Sequence, residues 1–206
     1  GSTGDQLCAQ SQLLRHNRVP RSKWPHGPQQ FQAAWDRWLA SEDMMDFTGL
    51  IEAALEDVPV APGNPAVFLV DEAQDCSVLE LDLIRHWNES AEYTVLAGDG
   101  DQSIYGWRGA SVRAFLSPGL PEKNNFHLTQ SYRISKAVHA FASRWIKQAA
   151  YRYAVNYEPT EVEGEVRRTM GSSRAVDPIM REIQEDLDAG KRVMVLATCG
   201  YMLSRV

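Results

Sequence analysis

The segment Val67-Phe68-Leu69-Val70-Asp71-Glu72-Ala73-Gln74-Asp75 is the most informative about the fold, because four apolar residues are followed directly by acidic and polar ones. The apolar run predicts a buried parallel strand, and ligands of open α/β sheets bind at the carboxyl ends of such strands. Asp71 is then expected to hold a Mg²⁺ ion, directly or through water. Glu72 is expected to orient or deprotonate an attacking water. The stretch therefore predicts nucleotide hydrolysis.

Adjacent acids at a strand end also have an ordinary interpretation. Such acids are usually solvated or cap a helix, and Asp75 could equally cap the helix predicted to begin near Ser77. The two acids alone favour the ordinary interpretation, and the apolar strand before them makes nucleotide chemistry equally well supported.

A second segment, residues 98–109, combines glycines, a glutamine and aromatic residues. Its Gln102 offers an amide that could sense a γ-phosphate. Tyr105 and Trp107 are flat rings beside Arg108, the combination needed to stack unpaired bases and hold a phosphate. The alternative is that both rings are ordinary core aromatics.

A third segment, residues 128–133, ends in Tyr132 and Arg133. An arginine at a domain edge can stabilise transition-state charge on a nucleotide, and the tyrosine can stack on its base. Without further context, a Tyr-Arg pair is more often a plain surface pair.

Hydrophobic periodicity predicts strands alternating with helices, which indicates a parallel α/β sheet. Residues 1–28 are predicted to be loop or poorly ordered, residues 29–157 a partial first domain, and residues 158–206 the beginning of a second domain. The predicted helices cover residues 29–41, 46–56, 79–87, 135–149 and 177–189, and the predicted strands cover residues 67–70, 93–97, 164–170 and 193–197, the last of them strongly buried.

Composition limits the function classes. The net charge of −6 over 206 residues argues against a binder that relies on a global basic field, but not against local stacking of single strands. The three cysteines, Cys8, Cys76 and Cys199, lack metal-type spacing, which predicts reduced thiols in the cytoplasm. No apolar stretch has the length of a membrane span, and the polar N-terminus does not resemble a signal peptide.

Together these segments resemble the UvrD/Rep/PcrA family of superfamily 1 DNA helicases. Residues 71–75 are similar to the family's Walker B motif, residues 98–110 to its motif III, and residues 128–133 to its motif IV. Residues 46–51 resemble the helix that the family carries upstream of the Walker B motif. The resemblance covers about residues 30–206. It implies an incomplete RecA-like sheet of the P-loop NTPase type, flanked by helices, and the start of a second RecA-like domain.

The resemblance also implies roles for single residues, with ATP and Mg²⁺ as cofactors. Asp71 would serve Mg²⁺ and Glu72 would be the catalytic base. Gln102 would sense the γ-phosphate, Arg133 would contact it, and Tyr132 would stack on adenine.

For DNA, the resemblance implies single strands and duplex junctions as partners, with Tyr105, Trp107 and Arg108 along the single-strand track. The sequence departs from the family at Ser131, where Asn is usual, and at Ile134, where Ser is frequent. Both departures lie beside the proposed arginine finger.

A phosphate loop of the type Gly-x-x-x-x-Gly-Lys-[Ser/Thr] is absent from the sequence, as are motifs V and VI. We therefore expect a fragment of a longer helicase that is inactive in isolation. The parent is expected to translocate 3′ to 5′ on single-stranded DNA and to unwind duplexes in replication, repair or recombination. Two alternatives are the helicase portion of a RecB- or AddA-like helicase–nuclease and a relative that binds DNA or a partner without hydrolysing ATP.

Overall fold

The computed structural model describes residues 3–149, 155–168, 177–197 and 203. By packing, the chain forms two units. The first comprises Gly1–Thr129 with Trp145–Tyr157, and the second comprises Gln130–Arg144 with Glu158–Val206. Residues 130–144 therefore group with the second unit, whereas the sequence analysis placed all of residues 29–157 in the first domain.

The described residues form seven α-helices and two strands. In chain order these are α1 (Thr3–His16), α2 (His26–Ser41), α3 (Phe47–Asp57), β1 (Val67–Val70), α4 (Val78–Asn88), β2 (Tyr93–Leu96), α5 (Val112–Phe115), α6 (Lys136–Ile146) and α7 (Asp177–Asp188). The helices predicted from periodicity are confirmed, with ends shifted by up to three residues. Among the described residues, no helix is long and apolar enough to cross a membrane.

The loop predicted for residues 1–28 is wrong, because α1 and the start of α2 occupy most of this range. The two buried residues of α1, Ser11 and Arg15, are both polar. Hydrophobic periodicity cannot detect a helix whose buried side chains are polar, which is why the sequence analysis missed it.

The two strands pair in parallel, with Val67 opposite Tyr93 and Val70 opposite Leu96. Side chains alternate between the two faces of a strand, so each strand has one half-buried face and one exposed face. On the half-buried face, the ring of Phe68 meets that of Trp87 from α4 edge-on at 6.2 Å. The other face is apolar but exposed, and consists of Val67, Leu69, Tyr93 and Val95.

Full burial of β1, as predicted, is therefore wrong. A run of four apolar residues suggests a strand covered on both faces, whereas Val67 and Leu69 on one face of β1 are exposed. The structure supports a mixed helix and strand fold with a small parallel sheet.

Helix α4 begins at a capping box. The Ser77 hydroxyl accepts a hydrogen bond from the Glu80 amide at 3.2 Å, and the Glu80 carboxylate accepts one from the Ser77 amide at 2.6 Å. The N-cap is therefore Ser77, and the alternative role of Asp75 as the cap is wrong. Leu79, Leu81 and Leu83 of α4 are the largest apolar contribution to the buried core.

In the second unit, residues 131–137 and 158–163 are joined by backbone hydrogen bonds. The amide of Ser131 donates to the carbonyl of Glu158 at 2.8 Å, and the amide of Thr160 donates to that of Ile134 at 2.9 Å. These bonds hold the residues that lead into α6 against residues 158–163, which follow α6 in the chain.

The buried strand predicted for residues 193–197 is wrong. These residues form no strand among those that the structure describes, and Met194 and Leu196 are 81% and 83% exposed. Residues 164–168 of the strand predicted for 164–170 are also not in a strand. Residues 169–170 and Cys199 lie outside the described residues.

Candidate functional site

Acidic and polar residues lie at the carboxyl ends of both strands of the first unit. Asp71 and Glu72 follow β1, and Asp99 follows β2 after two residues. The Ala97 amide donates to the Val70 carbonyl at 2.8 Å, and the Ala73 amide donates to the Ala97 carbonyl at 2.9 Å. These bonds continue the pairing of the strands, and they hold the two acidic segments against each other.

The carboxylates of Asp71 and Glu72 are exposed. An oxygen of Asp71 accepts a hydrogen bond from the Glu72 amide at 2.9 Å. The backbone of Glu72 is left-handed, with φ 52° and ψ 36°. A non-glycine residue in this region carries strain of about 1–3 kcal/mol, and such strain is concentrated at functional positions.

The donor set at this edge suits Mg²⁺ only in part. Within the described ranges, no group of three or more His, Cys, Asp or Glu side chains could hold a metal ion. Mg²⁺ usually keeps several waters and takes one or two carboxylates together with substrate phosphates. A single exposed carboxylate such as Asp71 fits that chemistry.

Gln102 lies in a short turn organised by Asp99. One Asp99 oxygen accepts from the Asp101 amide at 2.9 Å, and the other accepts from the Gln102 side-chain amide at 2.7 Å. The Gln102 amide is thus oriented by Asp99, and its side chain is exposed at the same edge as Asp71.

Trp107 is 73% exposed, so the interpretation as a core aromatic does not apply to it. The Tyr105 ring is half-buried and meets the Trp107 ring at 6.3 Å and an angle of 61°. The Arg108 guanidinium lies 5.8 Å from the centre of the Tyr105 ring. An exposed ring, a supporting ring and a cation therefore occupy one short turn.

Gly109 ends this turn in a left-handed conformation, with φ 97°. A Cβ at this position would lie 2.6 Å from the Cβ of His16 in α1. The turn that carries Trp107 therefore packs closely on α1, and only glycine fits at the contact.

A groove of about 270 Å³ runs between α1 and the Trp107 turn. It is mostly apolar and is lined by Ala9, Gln12, Leu13, His16, Trp107 and Arg108. The sequence does not reveal the α1 side of this groove, because it predicts a loop over residues 1–28.

His16 links α1 to the neighbouring helices. Its Nδ1 lies 3.0 Å from the Ser77 hydroxyl, and its Nε2 lies 3.3 Å from the Thr48 hydroxyl. Burial lowers the pKa of His16. The imidazole thus connects the N-terminal ends of α3 and α4 beside the Trp107 turn.

A buried ion-pair cluster fixes α1 to α3. Arg15, 7% exposed, donates to both oxygens of Asp46 at 2.7 and 3.1 Å and to both oxygens of Glu52 at 3.1 and 2.7 Å. Asp46 is also the N-cap of α3, since it accepts from the Gly49 amide at 2.6 Å, and it accepts from the Trp35 indole at 3.0 Å. The segment 46–51 that resembled a family helix is therefore held in place through Asp46.

The cluster predicts a specific acid sensitivity. Burial alone would raise the pKa of Asp46, but hydrogen bonds from Arg15, Gly49 and Trp35 lower it from 3.8 to about 2. Because the folded-state pKa is lowered, the stabilisation is present above pH 3.8 and is lost as the pH falls through about 2. We expect this residue to account for a loss of about 2 kcal/mol in the free energy of unfolding between pH 5 and pH 2.

Denaturant unfolding of the native protein and of Asp46→Asn at several pH values between 5 and 2 measures this contribution. The asparagine variant should be less stable at pH 5 and should lose less on acidification. Parallel stability curves for the two proteins over this range would refute the assignment.

Tyr132 and Arg133 lie in the second unit, and both are exposed. The buried hydroxyl of Ser131 accepts hydrogen bonds from the amides of Arg133 and Ile134 at 3.2 and 3.0 Å. The serine that departs from the family pattern thus shapes the turn that presents Arg133. The remaining predicted residues, namely Asp71, Glu72, Gln102, Tyr105, Trp107 and Arg108, lie together in the first unit.

The parallel strand pair and its helices are consistent with an α/β domain, and proteins of that class bind ligands at the carboxyl ends of their strands. Residues 34–119 match the UvrD/REP helicase N-terminal domain. The chain is 29% identical to the ATP-dependent DNA helicase PcrA of Staphylococcus aureus over 177 residues, which are 80% of this chain and 24% of the relative. It is 32% identical to a probable DNA helicase of Mycoplasma pneumoniae over 122 residues, 53% of this chain and 22% of the relative.

These matches make the chain similar to the UvrD-like helicases. It spans about a quarter of the length of the curated relatives that it matches, since each alignment covers 24% or 22% of the relative.

Proposed function

We propose that this chain forms part of an ATP-driven DNA helicase that translocates 3′ to 5′ on single-stranded DNA and unwinds duplexes. The observation that carries the proposal is the pairing of two features in one unit. Exposed carboxylates follow β1, and an exposed tryptophan turn lies on the segment that follows β2. Hydrogen bonds join residues 70–74 to residues 97–103 of that segment. A nucleotide-responsive edge beside a base-stacking surface is what a DNA-translocating ATPase requires.

At the acidic edge, Asp71 is the residue that would hold Mg²⁺, and Glu72 accepts the proton of the attacking water. When bound, Mg²⁺ supplies charge neutralisation on the phosphate oxygens. Asp99 holds one N–H of the Gln102 side-chain amide, and the second N–H is the donor that would sense a γ-phosphate oxygen. In the second unit, Arg133 and Tyr132 are the exposed groups available to a nucleotide phosphate and to an adenine ring.

Along the Trp107 turn, unpaired bases stack on the exposed indole while Arg108 contacts a phosphate. A stacking contact is made with the flat face of a base. All four bases have such a face, so binding is tolerant of sequence. This local mode of binding is compatible with a net charge of −6.

Replacing Trp107 tests the DNA part of the proposal. We expect Trp107→Ala in the full-length protein to weaken single-strand binding by about 5- to 150-fold, because one stacked base contributes about 1–3 kcal/mol. Fluorescence anisotropy with a labelled oligothymidylate measures the affinity, and thermal unfolding monitors the fold. The exposed indole should contribute little to the melting temperature.

Trp38→Ala is the matched control, since Trp38 is a partly exposed tryptophan of α2 outside the groove. It should leave DNA affinity unchanged. Equal losses of affinity in the two variants, or a lower melting temperature of Trp107→Ala with unchanged affinity, would contradict the assignment.

A further inference from the structure

Gln74 lies between the two segments that form the candidate site. Its side chain is 2% exposed, in the turn directly after Glu72. The side-chain Nε2 donates to a Glu72 carboxylate oxygen at 2.8 Å, and the side-chain Oε1 accepts from the Asp99 amide at 3.0 Å. The backbone carbonyl of Gln74 accepts from the Ser103 hydroxyl at 3.0 Å. One buried residue therefore contacts both acidic segments.

The chemistry of these partners fixes the orientation of the Gln74 amide. A backbone N–H can only donate, so the group facing Asp99 must be the carbonyl oxygen. The NH₂ group then necessarily faces Glu72. A carboxylate that is exposed and attached to a strained backbone has many rotamers available, and this hydrogen bond selects one of them.

Gly98 preserves the space that the amide needs. A Cβ at position 98 would lie 2.5 Å from the Gln74 Oε1 and 3.1 Å from the Gln74 backbone nitrogen. Any side chain at position 98 would therefore push against the amide without touching Glu72 itself. Glycine at this position is thus explained by the close approach of Gln74, since Gly98 is not among the glycines with a positive φ.

We propose that Gln74 is a positioning residue that holds the Glu72 carboxylate in its reactive orientation and connects it to residues 98–103. The inference rests on the proposed function, because it needs Glu72 to be the base. A movement of the Trp107 turn on DNA binding would be transmitted to Gln74 by Ser103 and Asp99, which both donate hydrogen bonds to it. Gln74 in turn bonds to Glu72. Gln74 thereby links occupancy of the DNA surface to hydrolysis.

Three variants in the full-length protein test the two hydrogen bonds of the Gln74 side-chain amide. Gln74→Met keeps the length of the side chain and removes both hydrogen bonds. Gln74→Glu keeps an acceptor for the Asp99 amide but replaces the donor to Glu72 with a like charge. Gly98→Ala leaves both residues in place and displaces the amide sterically.

We expect all three variants to lower kcat for ATP hydrolysis with single-stranded DNA by about 10- to 100-fold, the loss typical of one hydrogen bond to a charged group. The KM for ATP should stay within about 2-fold, since the Gln74 side chain is buried and is not exposed at the acidic edge. Melting temperatures check the folding of each variant. Gln74→Met adds no charge, so it decides the matter if Gln74→Glu, which buries an extra carboxylate beside Glu72, does not fold.

The decisive comparison repeats Gln74→Met and Gln74→Glu in a Glu72→Gln background. If Gln74 acts through Glu72, each change should alter the residual turnover by less than about 2-fold there. If the effects of the Gln74 and Glu72 substitutions on turnover are fully additive, the inference is overturned and the proposed function stands. The same conclusion follows if all three single variants have native kcat while Glu72→Gln is impaired. Native turnover in Glu72→Gln itself overturns the proposed function, and the inference with it.

Discussion

Arg15→Ala is expected to lower the free energy of unfolding by about 3–5 kcal/mol, the usual result of removing one partner from a buried ion pair. The guanidinium is the common partner of Asp46 and Glu52, and the Arg15 and Asp46 side chains are only 6% and 13% exposed. Without Arg15, the Asp46 carboxylate stays buried with fewer donors, and α1 loses its ion pairs with Asp46 and Glu52. Denaturant unfolding at pH 7 measures the effect.

Arg18→Ala provides the matched control. Arg18 pairs with Asp82 at 2.6 Å, but its side chain is 48% exposed. A solvent-exposed pair contributes about 0–1 kcal/mol. The loss in the free energy of unfolding should therefore be several-fold larger for Arg15→Ala than for Arg18→Ala. Similar costs for the two would show that the buried cluster is not what fixes α1.

Glu72→Gln is expected to reduce ATP turnover by the full-length protein by about 10²-fold or more while nucleotide binding persists. Glutamine nearly conserves the shape of glutamate but cannot accept the proton of the attacking water. Asp71→Asn should instead weaken Mg²⁺-dependent nucleotide binding, because it removes the charged ligand. Phosphate release at saturating ATP and calorimetry with Mg·ATP separate the two effects.

Glu92→Gln is the control for this pair of variants. Glu92 is exposed and immediately precedes β2, at the opposite edge of the sheet from Asp71 and Glu72. The same loss of charge there should leave turnover native. Turnover that is equally native in Glu72→Gln would refute the role of Glu72 as the base.

The parts of the fold that follow from local pattern were predictable from sequence. Helix α3 has apolar periodicity and an Asp46 cap, and β1 is a short run of large apolar residues, so both were found close to their observed ends. Helix α1 was missed because its two buried residues, Ser11 and Arg15, are polar, and Arg15 finds its partner Asp46 at a separation of 31 residues. Polar burial depends on partners that are distant in sequence, and periodicity does not record them.

The same distinction applies to the site. The residue types at 71–72 and 105–108 carry their chemistry in the sequence, so they could be selected without a structure. The importance of Gln74 and Gly98 could not, because it depends on a contact between segments 25 residues apart. The predicted burial of residues 193–197 is wrong for a related reason. An apolar run indicates that a strand would have to pack against another element, but the run does not show that such an element is present.

We propose that the acidic edge and the Trp107 turn act together as parts of a DNA-dependent ATPase. The most direct measurement is phosphate release from ATP by the full-length protein, with and without single-stranded DNA and with Trp107→Ala in parallel. We predict that DNA stimulates hydrolysis by the native protein and that Trp107→Ala requires more DNA to reach half-maximal stimulation. Hydrolysis that is absent under all conditions, or that proceeds at one rate regardless of DNA, would contradict the account.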